Sequence, residues 1–167
     1  MKTQVVPIEE VAEMIELQLE QGGRANLVVT GVSMLPMLRN RKDAVLLVPP
    51  QELNVGDVIF YRRSNGKYIL HRIIALQGKD YFCCGDNQAE REFVSRRQVI
   101  AVVDEFIRKG KRYTRDALGY RIYVAIWVKL FFLRPIYIKL RRLYSALRRY
   151  LRNKRLNKMQ EENNENG

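Results

Sequence analysis

Between Asn26 and Phe106 the chain is a succession of short β-rich runs, and no other feature restricts its fold as strongly. The runs are Asn26–Val29, Ala44–Val48, Asp57–Tyr61, Tyr68–Leu76, Tyr81–Cys84 and Val99–Phe106. Each is rich in β-branched or aromatic residues and is closed by turn formers, the pattern of strands separated by tight connections. Ser64-Asn65-Gly66 reads as a hairpin, because Asn-Gly accepts the positive φ that a two-residue turn demands. Pro49-Pro50 and Val55-Gly56 bound another connection. Helical periodicity brackets this block. Ile8, Val11, Ile15 and Leu19 share one face over residues 8–21, with Glu9, Glu13, Glu16 and Glu20 opposite and Gly22-Gly23 as the stop. After Gly110 the pattern is helical again. An apolar stretch over 117–133 is interrupted at Pro135. Ile136, Leu140, Leu143, Leu147 and Tyr150 then follow in steps of four and three, against a face of Lys139, Arg141, Arg142, Arg148, Arg149 and Arg152.

The expected fold is therefore mainly β. Residues 1–25 form an amphipathic N-terminal helix, 26–110 a β-rich core, 111–157 a basic helical extension and 158–167 a polar, disordered tail. A chain of 167 residues supports one domain with a substantial core and not two. Charge follows the same division. Of the net +12, the segment Leu118–Arg155 supplies +11, with eleven Lys or Arg and no acidic residue. The part before it is almost neutral, so the basic charge belongs to an attachment that suits an anionic partner, membrane surface or nucleic acid. Cys83 and Cys84 are adjacent and would point to opposite faces of a strand, which disfavours a mutual disulfide. The N-terminus holds no apolar run of signal-peptide length, so any membrane contact is expected from elsewhere in the chain.

Three segments carry chemistry. Gly31-Val32-Ser33-Met34-Leu35-Pro36 follows a strand, and a serine in such a constrained turn can present its hydroxyl together with backbone amides. Acyl transfer needs that pairing of a nucleophile with N–H donors for the developing oxyanion. Taken alone, Ser-Met-x-Pro favours a serine that merely caps the turn. His71, the only histidine, lies in Tyr68-Ile69-Leu70-His71-Arg72-Ile73-Ile74, and an imidazole is the natural proton acceptor near neutral pH. A lone histidine in an apolar strand is otherwise a packed residue. Cys84-Gly85-Asp86-Asn87 ends a strand in a Gly-Asp-Asn turn, which by itself is an ordinary Asx turn.

Taken together and in this order, Ser-Met-x-Pro, Gly56-Asp57-Val58, His71-Arg72-Ile73 and Gly85-Asp86-Asn87 resemble type I signal peptidases and the wider signal-peptidase and LexA-like superfamily, over roughly residues 26–106. Bacterial housekeeping members have Lys where this chain has His71; the His form is similar to the archaeal and endoplasmic-reticulum branch. The resemblance implies a signal-peptidase-like catalytic core in which Ser33 attacks, His71 takes its proton and returns it to the leaving amine, and the Ser33 amide binds the oxyanion. It also implies an extended peptide substrate, with small residues near the cleaved bond, and neither metal nor cofactor. Two departures matter. The position two before the nucleophile, Ser in some members, is Gly31. No Asp follows the Gly-Asp-Asn turn in Gln88-Ala89-Glu90-Arg91-Glu92, so the carboxylate that orients the imidazole is expected to be Asp86, with Glu92 as the alternative or a dyad as the remaining arrangement. Lys67 and Arg72 are the alternatives for base and helper.

The basic extension sets the expected place of work. Lys129 interrupts the apolar core of 120–134, and a span needs about 20 apolar residues. A central Lys costs about 2.5–3.5 kcal/mol on insertion scales. The expectation is a helix pair lying peripherally on the cytoplasmic face of a membrane, with Trp127, Phe131 and Phe132 inserted and Arg141, Arg142, Arg148 and Arg149 on anionic headgroups; a single C-terminal span is the alternative. Nucleic acid is not expected as a partner. The expected substrate is a peptide or precursor protein. The rival functions are a self-cleaving repressor-type regulator, which would need a helix-turn-helix ahead of the core, and a catalytically silent membrane-surface module.

Overall fold

The computed structural model describes residues 8–165, with side chains from 10 to 155. The chain divides into two compact units, 1–131 and 132–167. The first holds helix α1 (Ile8–Glu20) and the strands β1 (Ala25–Val28), β2 (Ala44–Val48), β3 (Val58–Arg62), β4 (Tyr68–Gln77), β5 (Asp80–Cys84), β6 (Glu92–Val94), β7 (Val99–Arg108) and β8 (Lys111–Thr114), followed by helix α2 (Leu118–Lys129). The second is built on α3 (Arg134–Glu165). The mainly β expectation is met by one eight-stranded antiparallel sheet in the order β1-β2-β7-β3-β4-β5-β6. β8 pairs with the far end of β7, over Glu105–Arg108, where β3 no longer reaches.

Alternation along the strands divides the apolar residues between two faces. One face gathers Leu27, Val45, Leu47, Val58, Phe60, Val103 and Phe106 beneath α1, which contributes Ala12, Ile15 and Leu19. The other gathers Leu53, Ile59, Tyr61, Ile73, Tyr81, Cys83, Val94 and Val102. Burying each such aliphatic or aromatic side chain stabilises by about 1.5–3 kcal/mol, and Val45, Leu47, Ile59 and Ile73 are completely buried. The Asn65-Gly66 hairpin forms as expected, with Gly66 at φ 82° and Arg62 paired with Tyr68.

Three elements depart from the sequence expectation. β6 is only three residues long and begins on a glutamate, too short for a period to register. β8 is fully exposed and is folded back on β7 by Lys109-Gly110, both at positive φ (52° and 76°), as in a primed hairpin turn. β8 and α2 belong to the first compact unit, which runs to Phe131. Helix α3 also runs through Glu165, into the stretch expected to be disordered; Gln and Glu are good helix formers and extending an existing helix is easy. The expectation for 166–167 lies outside the described residues, as does that for the N-terminal residues 1–7.

Candidate active site

Val28 ends β1, and the chain makes an excursion from Val29 to Asp43 before β2. The excursion is tied at its base by Val29 N–H to Asp43 O (3.0 Å) and Arg41 N–H to Val29 O (2.8 Å). Asp43 is buried and accepts from the Arg39 amide and guanidinium at 2.6–2.9 Å. The Arg39 hydrogen bond outweighs burial and lowers the carboxyl below its ordinary value. Gly31 takes φ 85°, and its amide is spent on Asn40 Oδ1 at 2.9 Å. Met34, Met37 and Leu38 are buried in the α1-side core, so the turn is anchored by its apolar residues while Ser33 stays half-exposed. Among the described residues the amides of Ser33 and Met34 have no acceptor, which leaves two adjacent donors beside the hydroxyl.

The Gly-Asp-Asn turn seats this loop against the sheet. Asn87 donates its amide to Ser33 O at 2.6 Å and its side-chain Nδ2 to Val32 O at 3.1 Å. A Cβ on Gly85 would stand 2.8 Å from Ser33 O and 3.0 Å from Ser33 Cβ, so the serine lies directly over a glycine. The β4–β5 register pairs Arg72 with Cys84; carried one residue further, it sets Gly85 opposite His71. Directly opposed residues share a face, with Cβ atoms about 4.5–5.5 Å apart. Ser33 thus lies over the residue that this register, if continued, would set opposite the imidazole. No hydrogen bond joins Ser33 to His71 in this structure.

His71 is 3% exposed. Its Nδ1 lies 2.9 Å from Glu92 Oε1 and 3.2 Å from the Tyr61 hydroxyl. Tyr61 OH also donates to Glu92 Oε1. Arg63 grips the same carboxylate, Nε to Oε2 at 2.6 Å and Nη2 to Oε1 at 2.7 Å. Burial works to raise the Glu92 carboxyl, but hydrogen bonds from His71, Arg63 and Tyr61 prevail and hold it well below the carboxylate range. Burial, reinforced by Glu92, drives the Tyr61 hydroxyl well above its ordinary value. His71 Nε2 has no partner among the described residues. Burial pushes the neighbouring Cys83 thiol up to about 12, which leaves no thiolate to serve as a nucleophile.

Asp86, the favoured sequence candidate for orienting the imidazole, is engaged elsewhere. Its carboxylate takes a two-pronged ion pair from Arg72, Nε to Oδ1 at 2.8 Å and Nη2 to Oδ2 at 2.7 Å, with both side chains completely buried. Arg72 also donates to Gly56 O (2.7 Å) and Tyr120 OH (2.8 Å). Burial opposes its charge, but Asp86 and Tyr120 raise the guanidinium above its usual value. Strand alternation separates the two carboxylates. Asp86 joins Arg72 on the α1 side, whereas Glu92 is paired with Cys83 and shares the His71 face.

Helix α2 closes this buried pair. Tyr123 OH donates to Asp86 Oδ2 (3.1 Å), and Trp127 Nε1–H donates to Asp86 O (3.1 Å). The Tyr123 and Trp127 rings are stacked, 5.4 Å apart. Trp127 thus packs on the core, its indole N–H finding an acceptor in the Gly-Asp-Asn turn. Phe131 is half-buried and Phe132 is 70% exposed. Arg141 is half-buried, while Arg142, Arg148 and Arg149 are exposed along α3. Lys67 is exposed at the end of the β3–β4 hairpin. The sequence reading missed Tyr61 and Arg63. Their signal was present only as alternation along β3, which cannot reveal a partner on β6.

Among the described residues no group of His, Cys, Asp and Glu could hold a metal ion, and no helix is long and apolar enough to cross a membrane. Comparison with known protein families, characterised proteins and solved structures finds no match to this chain.

Proposed function

We propose that the chain is a serine endopeptidase of the signal-peptidase type, in which Ser33 attacks the scissile carbonyl and His71 is the general base. The observation that carries this reading is an imidazole whose Nδ1 is committed to Glu92, with Ser33 seated over Gly85 at the end of the strand that pairs with the His71 strand. A carboxylate on Nδ1 leaves Nε2 to accept the hydroxyl proton and return it to the leaving amine, the division of labour of a serine–histidine–carboxylate site. The amides of Ser33 and Met34 supply the oxyanion donors. Glu92 takes the orienting role and Asp86 a structural one. The substrate is a signal- or leader-like segment bound in extended form.

The work is done at an anionic membrane surface, on which the chain lies peripherally. Leu118, Ile122 and Ile126 are exposed on α2, and Ile136, Leu140, Leu143 and Leu147 on α3. With no acidic residue in 118–155, pairing these faces with copies of themselves would crowd cations together, whereas anionic headgroups complement them. Anionic lipid is concentrated in the cytoplasmic leaflet, which makes that face the site of attachment.

The test compares wild type, His71→Ala and Lys67→Ala on leader-like peptides by mass spectrometry of the products. His71→Ala is expected to lose most of the rate and Lys67→Ala none of it. The reverse result would move the proton transfer to Lys67.

A further inference from the structure

Resting on the serine–histidine reading above, we infer that Arg63 and Tyr61 are positioning residues that keep the Glu92 carboxylate charged and so fix which imidazole nitrogen of His71 carries the proton. Tyr61 leaves β3 on the His71 face, and Arg63, just past the end of β3, reaches the same carboxylate. Ile59 is paired with His71, and Tyr61, two residues on, falls diagonally across from the imidazole, within reach of Nδ1 and Glu92 together. Arg63 follows two residues later at the mouth of the hairpin, where its guanidinium is about one-third exposed (35%).

The proton inventory decides the tautomer. An ionised carboxylate only accepts hydrogen bonds. Glu92 Oε1 receives the Tyr61 hydroxyl, the Arg63 Nη2–H and His71 Nδ1; Oε2 receives Arg63 Nε–H. Since Tyr61 spends its one proton on Glu92, and Glu92 has none to give, the proton between Nδ1 and Oε1 must be the imidazole's. Nε2 is then the bare nitrogen. A protonated Glu92 would reverse this: it could donate to Nδ1, place the ring proton on Nε2 and remove the base. Burial pushes Glu92 in that direction. The opposing force is the two-pronged contact with Arg63, which is stronger and more directional than a neutral hydrogen bond, aided by the Tyr61 hydroxyl.

Because His71 is the only histidine, 15N-histidine labelling of the full chain gives a single imidazole whose two nitrogens report the tautomer without any substrate. Wild type should show a protonated Nδ1 and a bare Nε2 in the neutral ring. Arg63→Gln and Glu92→Gln should each move the ring toward a mixture with protonated Nε2, and Arg63→Lys, which keeps the charge, should largely restore the wild-type pattern. Tyr61→Phe should retain protonated Nδ1 but broaden its signal as Glu92 loses a tether. On leader-like peptides, Arg63→Gln should lower kcat at least tenfold with little change in KM and move the acid limb of the pH profile upward. Added to Glu92→Gln, it should cost nothing further. An unchanged protonated Nδ1 in both Arg63→Gln and Glu92→Gln, or additive losses in the double variant, would overturn the inference. A wild type that cleaves no peptide would instead count against the peptidase reading, leaving the spectra to judge the hydrogen-bond chain.

Discussion

At Gly85 a single missing methyl group decides whether the turn of Ser33 can lie against the sheet. Its Cβ would meet a backbone oxygen at 2.8 Å, and backbone cannot swing aside as a long side chain can. Gly85→Ala should therefore displace Ser33 more than it unfolds the protein. A displacement near 1 Å can cost about 100-fold in rate, while overpacking costs about 1–3 kcal/mol. Peptide cleavage and urea unfolding of the one variant separate the two effects. Glu92 and Asp86 divide in the opposite way. Glu92→Gln should lower the rate by orders of magnitude with modest loss of stability. Asp86→Asn leaves Arg72 charged and unpaired in the interior, a change that costs about 3–5 kcal/mol, and should appear first as a lowered unfolding midpoint. The turn of Ser33 and the burial of His71 in a strand were legible in the sequence, because Gly31 and Pro36 mark the one and an apolar run the other. The choice between the two carboxylates was not, since it depends on which face of β4 each one meets, and β6 is too short to announce its register.

Helix α2 shows at the scale of an element why an apolar stretch does not name its partner. Tyr120, Tyr123 and Trp127 recur at helical spacing and close the Arg72–Asp86 pair, whereas Leu118, Ile122 and Ile126 on the same helix stay exposed. Both sets are apolar or aromatic, so periodicity finds two faces without saying which meets protein. The polar tips decide it: the Tyr123 hydroxyl and the Trp127 indole N–H find acceptors on Asp86, and the Tyr120 oxygen accepts from Arg72. The strands were more legible, with Gly, Pro and Asn marking many of their ends; β6 is too short to register a period, and β8, though it follows the Lys109-Gly110 turn, is exposed at every residue. Truncation supplies the test. A chain ending at Phe131 keeps α2 and should remain soluble and folded. One ending at Lys111 uncovers the buried ion pair and should aggregate or melt at lower temperature. The full chain should sediment with vesicles containing anionic lipid, and the Phe131 truncation much less. Salt should release the full chain, since the screening length falls from about 10 Å at 0.1 M to about 3 Å at 1 M.

For the whole molecule, two hydrogen-bonded carboxylates tie stability to pH. Asp43, through its hydrogen bonds from Arg39, and Glu92, through His71, Arg63 and Tyr61 against the pull of burial, both titrate below their ordinary values. In the unfolded chain such groups titrate at about 3.9 and 4.3. Their contribution is therefore complete above those values and is lost as pH falls toward the folded ones. The melting temperature should change little on this account from neutral pH to about 5 and drop steeply below about 4, and Glu92→Gln should make the drop shallower. The same arrangement joins stability to the proposed chemistry, since the contacts that hold Glu92 ionised also hold His71 ready to accept a proton. The central claim, that Ser33 is the nucleophile of a peptidase, is tested most directly by exposing a mixed library of extended peptides to wild type and to Ser33→Ala and sequencing the new termini. The account predicts termini that appear with wild type and vanish with Ser33→Ala, although both proteins melt alike. Cleavage that persists in Ser33→Ala, or is absent from both, would contradict it.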